Sequence, residues 1–126
     1  MIYTFLQVGL GGAVGAMLRF GVGVLVLRMI GTTAFPVAVI GVNVLGSFLM
    51  GVCVVWLGTR GLTHLSPLVM TGVLGGFTTF SAFSLEAFTL FERGEVSQAG
   101  LYVVLSVVLS ILGLVAGIML ARGVLA

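Results

Sequence analysis

The sequence predicts an all-α membrane protein: a single domain over residues 1–126, four transmembrane helices per subunit, the third helix broken near the bilayer midplane. Three observations predict it. Of 126 residues, 60% are hydrophobic and 6% charged, with mean hydropathy +1.38; a water-soluble domain carries about a quarter charged residues. Four apolar segments reach the roughly 20 residues that a spanning helix needs. They run from Thr4 to Leu27, Phe35 to Leu57, Ser66 to Phe91 and Ala99 to Ala121. The third segment contains TGVLGGFTTFSAFSLE, Thr71–Glu86, where glycines, hydroxyls and phenylalanines interrupt a greasy run.

Composition also excludes several classes. Cys53 is the only cysteine and His64 the only histidine, so neither an internal disulfide nor a Cys/His metal site can form. The five arginines are scattered singly and there is no lysine, which leaves no basic patch for nucleic acid. No nucleophile–base pair, phosphate loop or metal-ligand cluster points to an enzyme. Met1–Leu18 contains no basic residue, and the apolar pattern continues past Arg19, so these residues read as the first span instead of a cleaved leader. The connectors, Arg28–Ala34, Gly58–Leu65 and Glu92–Gln98, are short and hold glycine, hydroxyls or charge.

The first span places Gln7, Gly11, Gly15 and Arg19 at steps of four, on one helix face. The glycines form a GxxxG pair suited to close helix packing. An arginine inside a span is costly and is paired, faces a cavity, or snorkels to an interface; the first span leaves all three open. In the second span Pro36 stands at the start, where its missing N–H does no harm. Asn43 there offers two donors and an acceptor that need partners in low dielectric, either an interhelical hydrogen bond or a ligand.

In the third span Gly75-Gly76 followed by Phe77, Thr78 and Thr79 disfavours helix. A break at that depth survives only where it is buried in protein or faces a cavity, where its carbonyls can bind a cation. The alternative is an unbroken helix with packing glycines. The fourth span sets Tyr102, Ser106 and Ser110 on one face over roughly 12 Å, at about 1.5 Å per residue. These hydroxyls either bond back to their own helix or form a polar track. Leaving out Arg19, the arginines divide two against two: Arg60 and Arg122 on the N-terminal side, Arg28 and Arg93 opposite. The positive-inside rule gives no bias, so the chain is expected to insert both ways and to pair about a two-fold axis in the membrane plane.

Three motifs resemble one family, the small Fluc (CrcB) fluoride channels: GGxxGAxxR in Gly11–Arg19, VNxxG in Val42–Gly46, and GGFTTFSAFSLE in Gly75–Glu86. The resemblance covers nearly the whole chain. It implies an antiparallel, dual-topology homodimer with two fluoride pathways, and a structural Na+ held between subunits by the backbone carbonyls of Gly75 and Thr78. It implies that Phe80 and Phe83 face the pores with Asn43 beside them, that Tyr102, Ser106 and Ser110 form the polar track, and that Thr79, Ser81, Glu86 and Arg19 belong to the same pathway. The implied activity is passive export of cytoplasmic fluoride across the bacterial plasma (inner) membrane, giving fluoride resistance. The implied partners are fluoride, membrane lipid and a second copy of the chain, with no nucleic acid.

Ring edges carry partial positive charge and could solvate a small anion, with Asn43 and the hydroxyls as ordinary donors. Two positions depart from the family pattern. Val39 stands where a threonine is usual, and Ala82 replaces the threonine of STFS; each change removes a hydroxyl. Two other readings compete. A small proton-coupled multidrug exporter needs an embedded carboxylate, which in that family sits in the first span, and here that span has no acid. A non-transporting accessory subunit predicts no ion flux.

Overall fold

The computed structural model describes residues 1–33 and 35–125. Ala34, the last residue of the expected first connector, and Ala126 lie outside the described residues. The chain folds as α1 (Ile2–Ile30), α2 (Val37–Thr59), a π-helical stretch (Pro67–Leu74) that runs into a single helical turn, α3 (Gly75–Phe77), then α4 (Phe80–Glu92) and α5 (Val96–Leu125). Four spans result, Ile2–Ile30, Val37–Thr59, Thr63–Glu92 and Val96–Leu125, each long and apolar enough to cross a membrane. The expected segments all fall within these four, apart from two residues at the start of the second. The helices run further than expected because polar ends such as Ser97 and Gln98 continue the helix into the interface, where water can still satisfy a terminal turn. The last connector thereby shrinks to a tight turn at Arg93–Glu95, in which Gly94 adopts φ 82°.

The spans pack as two pairs. α1 lies along the third span, and α2 lies along α5. Small residues set both contacts. A methyl group added at Gly15 would run into the carbonyl of Val73 and come within 2.8 Å of the Phe77 nitrogen. On the other pair, a methyl at Gly117 would meet the carbonyl of Phe48. Lipid tails are as apolar as leucine, so close backbone approach and dispersion hold such helices together where the hydrophobic effect cannot. The GxxxG stripe of α1 is therefore used for packing, Gly11 against Leu68 and Gly72, and Gly15 against Val73 and Phe77.

A buried apolar cluster lies where α4, α5 and the start of α2 meet. Phe83, Leu90, Ala99 and Tyr102 are buried there, flanked by Phe35, Val39, Ile40 and Ala87. Val39 accordingly turns an apolar side chain toward an apolar cluster, which accounts for the missing hydroxyl at that position. Ala82, half-buried beside the break, has no such account. Most large apolar residues of α1 and α5 face outward, as a lipid-bathed surface requires.

The π-helical stretch was not anticipated, because an apolar run does not distinguish 3.6 residues per turn from a wider coil. The Gly75 N–H reaches back to the Met70 carbonyl, closing the wide turn immediately before the break. Such segments recur at functional sites.

Candidate functional site

The third span breaks at Thr78 and Thr79, not at the glycine pair. Thr78 (φ −82°, ψ 158°) and Thr79 (φ −150°, ψ 121°) are extended, whereas Gly75 is helical at φ −64°, ψ −37°. Gly76 is needed for packing: a methyl there would lie 2.6 Å from the Gly12 carbonyl of α1. Of the glycine pair, Gly76 thus marks a close helix approach while Gly75 meets no other helix, and the two β-branched threonines that follow form the break itself.

Two extended residues remove helical hydrogen bonds, and distant side chains replace them. The Asn43 amide pairs with the backbone of Thr79 on both sides. Its Nδ2 donates to the Thr79 carbonyl at 2.9 Å, and its Oδ1 accepts from the Thr79 N–H at 2.7 Å. Arg19 Nε donates to the Gly76 carbonyl at 3.2 Å. Arg19 lies near the middle of α1, so it acts within the bundle as a partner to freed backbone and does not snorkel. α4 restarts with Thr79 as its cap, the Oγ1 accepting from the Ala82 N–H at 3.1 Å. Helix N-caps of this kind satisfy one of the orphan donors of the first turn.

These substitutions free particular carbonyls. In an unbroken helix the Thr79 N–H would serve Gly75 and the Ala82 N–H would serve Thr78. Both donors are diverted, one to Asn43 and the other to the Thr79 hydroxyl. The carbonyls of Gly75 and Thr78 therefore lose their helical donors, and Gly75 is exposed at the surface of the subunit.

Beside the break lies a groove of about 430 Å³ between α2, the third span and α5. It brings together Asn43, Thr78, Thr79, Phe80, Phe83, Ser106 and Ser110, which are 67 positions apart in sequence at their furthest (110 − 43). Phe80 and Phe83 stand with ring centroids 5.4 Å apart and planes at 53°. Phe83 is buried and continues to Tyr102 at 5.4 Å, and Tyr102 meets Phe35 edge-on at 5.6 Å. The tilted rings turn edges and faces toward one another along a row that leads from the groove into the subunit. Phe80, at its mouth, is 76% exposed.

The hydroxyls divide. Ser106 lines the groove, buried to 5% exposure, and its Oγ has no hydrogen-bond partner among the described residues; the buried Tyr102 hydroxyl has none either. The self-bonded alternative for the fourth-span hydroxyls does not hold at these two positions. A buried hydroxyl without a partner costs about 1–3 kcal/mol, so both groups are open to a partner from outside the subunit, whether water, ligand or a second chain. Ser81 is exposed beside the break, its Oγ 3.4 Å from the Thr79 Oγ1. Glu86 is half-buried on α4, and neither it nor Tyr102 lines the groove. Arg19 reaches the third span from α1, whereas the groove is walled by α2 and α5. The lining also includes Gly46, the last residue of the VNxxG motif, with Ser47 and Met50 on the same span, and Val107, Ile111 and Leu114 of α5, which were not singled out. Ser47 and Met50 stand four and seven positions beyond Asn43, on the same helix face.

Chemically, the groove sets hydroxyls, the Asn43 amide and two phenylalanine rings in otherwise apolar walls, with no formally charged side chain in its lining. Hydroxyls of this kind can donate to a bound anion.

Residues 6–118 match the family described as CrcB-like protein, Camphor Resistance (CrcB). The chain is 66% identical over 125 residues to the Fluoride-specific ion channel FluC of Ruegeria sp. (strain TM1040), covering 99% of each. It is 65% identical over 122 residues to the protein of that name from Roseobacter denitrificans, 96% of this chain and 97% of the relative. The protein of that name from Paracoccus denitrificans is 49% identical over 126 residues, with both chains covered entirely.

Proposed function

Because the chain belongs to the CrcB-like family, we infer that it is a fluoride-selective channel, passing cytoplasmic fluoride outward down its electrochemical gradient. The observation that carries this reading is the row from Phe80 through Phe83 to Tyr102 beside the unpartnered Ser106 hydroxyl. Fluoride entering such a groove exchanges water for hydroxyl and amide donors and for the positive edges of the two phenylalanine rings. Selectivity over chloride follows from narrowness and donor placement, with no ring of fixed charges. Neither the exporter nor the accessory-subunit reading has a specific observation behind it. The protein is a multi-pass bacterial membrane protein, and the plasma (inner) membrane is where outward release relieves a cytoplasm that traps HF as fluoride.

The working unit is an antiparallel homodimer. Extended backbone at Thr78–Thr79, exposed Gly75 and the groove with its few hydroxyls all lie about midway along the third span, on the surface of one subunit. Irregular backbone is not tolerated against lipid, so a second copy must cover this face. A dimer with opposed subunits brings two copies of the break together and makes two pathways. The freed carbonyls of Gly75 and Thr78 then suit a central Na+, a hard cation that takes carbonyl oxygens. Bound there, the ion supplies positive charge that offsets the desolvation of a passing anion. Asn43 and Arg19 hold the backbone that presents these carbonyls.

Reconstituted in liposomes with a potassium ionophore, the protein is expected to release fluoride rapidly and chloride negligibly. Release of neither ion from demonstrably dimeric protein would overturn the channel reading. Phe80→Ile and Phe83→Ile are each expected to abolish fluoride release while the dimer stays assembled on size-exclusion chromatography; normal flux in both would remove the rings from the pathway. Exhaustive replacement of sodium by a large organic cation is expected to reduce flux and loosen the dimer together. Unchanged flux after that exchange would remove the ion.

A further inference from the structure

The break at Thr78–Thr79 is met from α2 at two neighbouring points, and only one of them is a hydrogen-bonded contact. Asn43 clamps the backbone of Thr79. Three residues on, and on the same face of α2, Gly46 is buried against the side chain of Thr78. A methyl group added at Gly46 would run into the Thr78 Cγ2 and come within 3.3 Å of the Phe77 Cδ2. The contact lies inside one subunit, so it needs no second copy.

A clash with the tip of a long side chain is cheap, because the side chain turns aside. Thr78 is not free to do so. Its hydroxyl donates to the Leu74 carbonyl at 3.1 Å, and its N–H reaches the same carbonyl at 3.0 Å. A β-branched side chain has one stiff rotation, about Cα–Cβ. Turning the methyl off Gly46 would carry the hydroxyl off Leu74, so relief falls to the backbone. That backbone is the trans peptide between Thr78 and Thr79, in which the N–H and the carbonyl point opposite ways. The Thr79 N–H points to Asn43, so the Thr78 carbonyl, one of the two freed by the break, points away from it.

We propose that Gly46 is a positioning residue for conduction. By leaving room for the Thr78 methyl, it fixes the peptide plane that aims the Thr78 carbonyl and sets the start of α4, and with it Phe80. Asn43 and Gly46 thus divide one task on one face of α2, the first supplying hydrogen bonds and the second supplying space. A groove wall alone would accept alanine at this position; the Thr78 methyl does not. The link to conduction rests on the channel reading, whereas the contact itself does not.

The test is a size swap. Gly46→Ala adds the offending methyl, and Thr78→Ser removes the one it strikes while keeping the hydroxyl that bonds Leu74. Fluoride efflux per reconstituted dimer is compared among the wild type, both single variants and the double variant. Gly46→Ala is expected to lower efflux about tenfold or more, because overpacking displaces what it touches. Made in the Thr78→Ser background, the same substitution should cost about threefold or less, the difference being the coupling between the two positions. Wild-type efflux from Gly46→Ala, or an equal loss in both backgrounds, overturns the proposal. Hydrogen exchange at the Thr79 amide is a second readout that needs no ion flux. Gly46→Ala should speed exchange there, and adding Thr78→Ser should slow it again. Unchanged exchange overturns the proposal, whereas this pattern in protein that releases no fluoride upholds the contact and overturns the channel reading alone. If Gly46→Ala yields no dimer, recovery of dimer in the double variant supports the contact, and no recovery overturns it.

Discussion

Asn43→Ala is expected to lower fluoride efflux by two orders of magnitude or more. The Asn43 side chain is the only group among the described residues that pairs with both the N–H and the carbonyl of Thr79. Alanine leaves both groups unsatisfied in low dielectric, at about 1–3 kcal/mol each. The chain can recover one bond by winding Thr79 back toward Gly75, which closes the break and withdraws the Gly75 carbonyl. The substitution therefore acts on the shape of the third span as well as on the groove wall. Asn43→Asp tests this account, because its carboxylate still accepts from the Thr79 N–H but no longer donates to the carbonyl. Efflux from Asn43→Asp should lie between the wild type and Asn43→Ala. Near-normal efflux from Asn43→Ala in liposomes would show that the break stands without its amide clamp.

Gly15→Ala should cost most of the folded protein, although only one methyl group is added. That methyl meets backbone, the Val73 carbonyl and the Phe77 nitrogen, and neither can rotate aside as a side chain would. α1 must move off the third span, and overpacking of this kind costs about 1–3 kcal/mol before the loss of neighbouring contacts is counted. It would also draw Arg19, one turn further on, away from Gly76. Gly21→Ala is the control, since a methyl there meets nothing within 4 Å and removes only the glycine penalty in a helix. The measurement is the monodisperse fraction after detergent extraction and graded heating. Gly21→Ala should equal or exceed the wild type, with Gly15→Ala far below both. Equal behaviour of the two variants would dissociate the α1 glycine stripe from packing.

The four spans were legible because the bilayer judges each segment by a local quantity, the length of its apolar run. The residues of the groove were legible for a related reason. Asn43, Ser106 and Ser110 are polar where polarity is expensive, and a span retains such residues for hydrogen bonding or a ligand. The glycine pair was harder to read. Gly75-Gly76 has the same composition whether it breaks a helix or lets another helix approach, and at Gly76 the choice is made by Gly12 of α1, more than sixty residues earlier.

The sequence by itself determined the solvent, the number of spans, the scarcity of charge and the presence of a hydroxyl-rich interruption in the third span. Tertiary structure decided where that span breaks and which carbonyls it frees. Extended backbone at Thr78–Thr79 is tolerable only because Asn43, 36 residues away, and Arg19, 57 residues from Gly76, supply the hydrogen bonds that the helix gives up. No local pattern states that such partners will arrive. Their arrival depends on two helix pairs packing at backbone contact, and that packing places an amide and a guanidinium where the third span loses its own bonds.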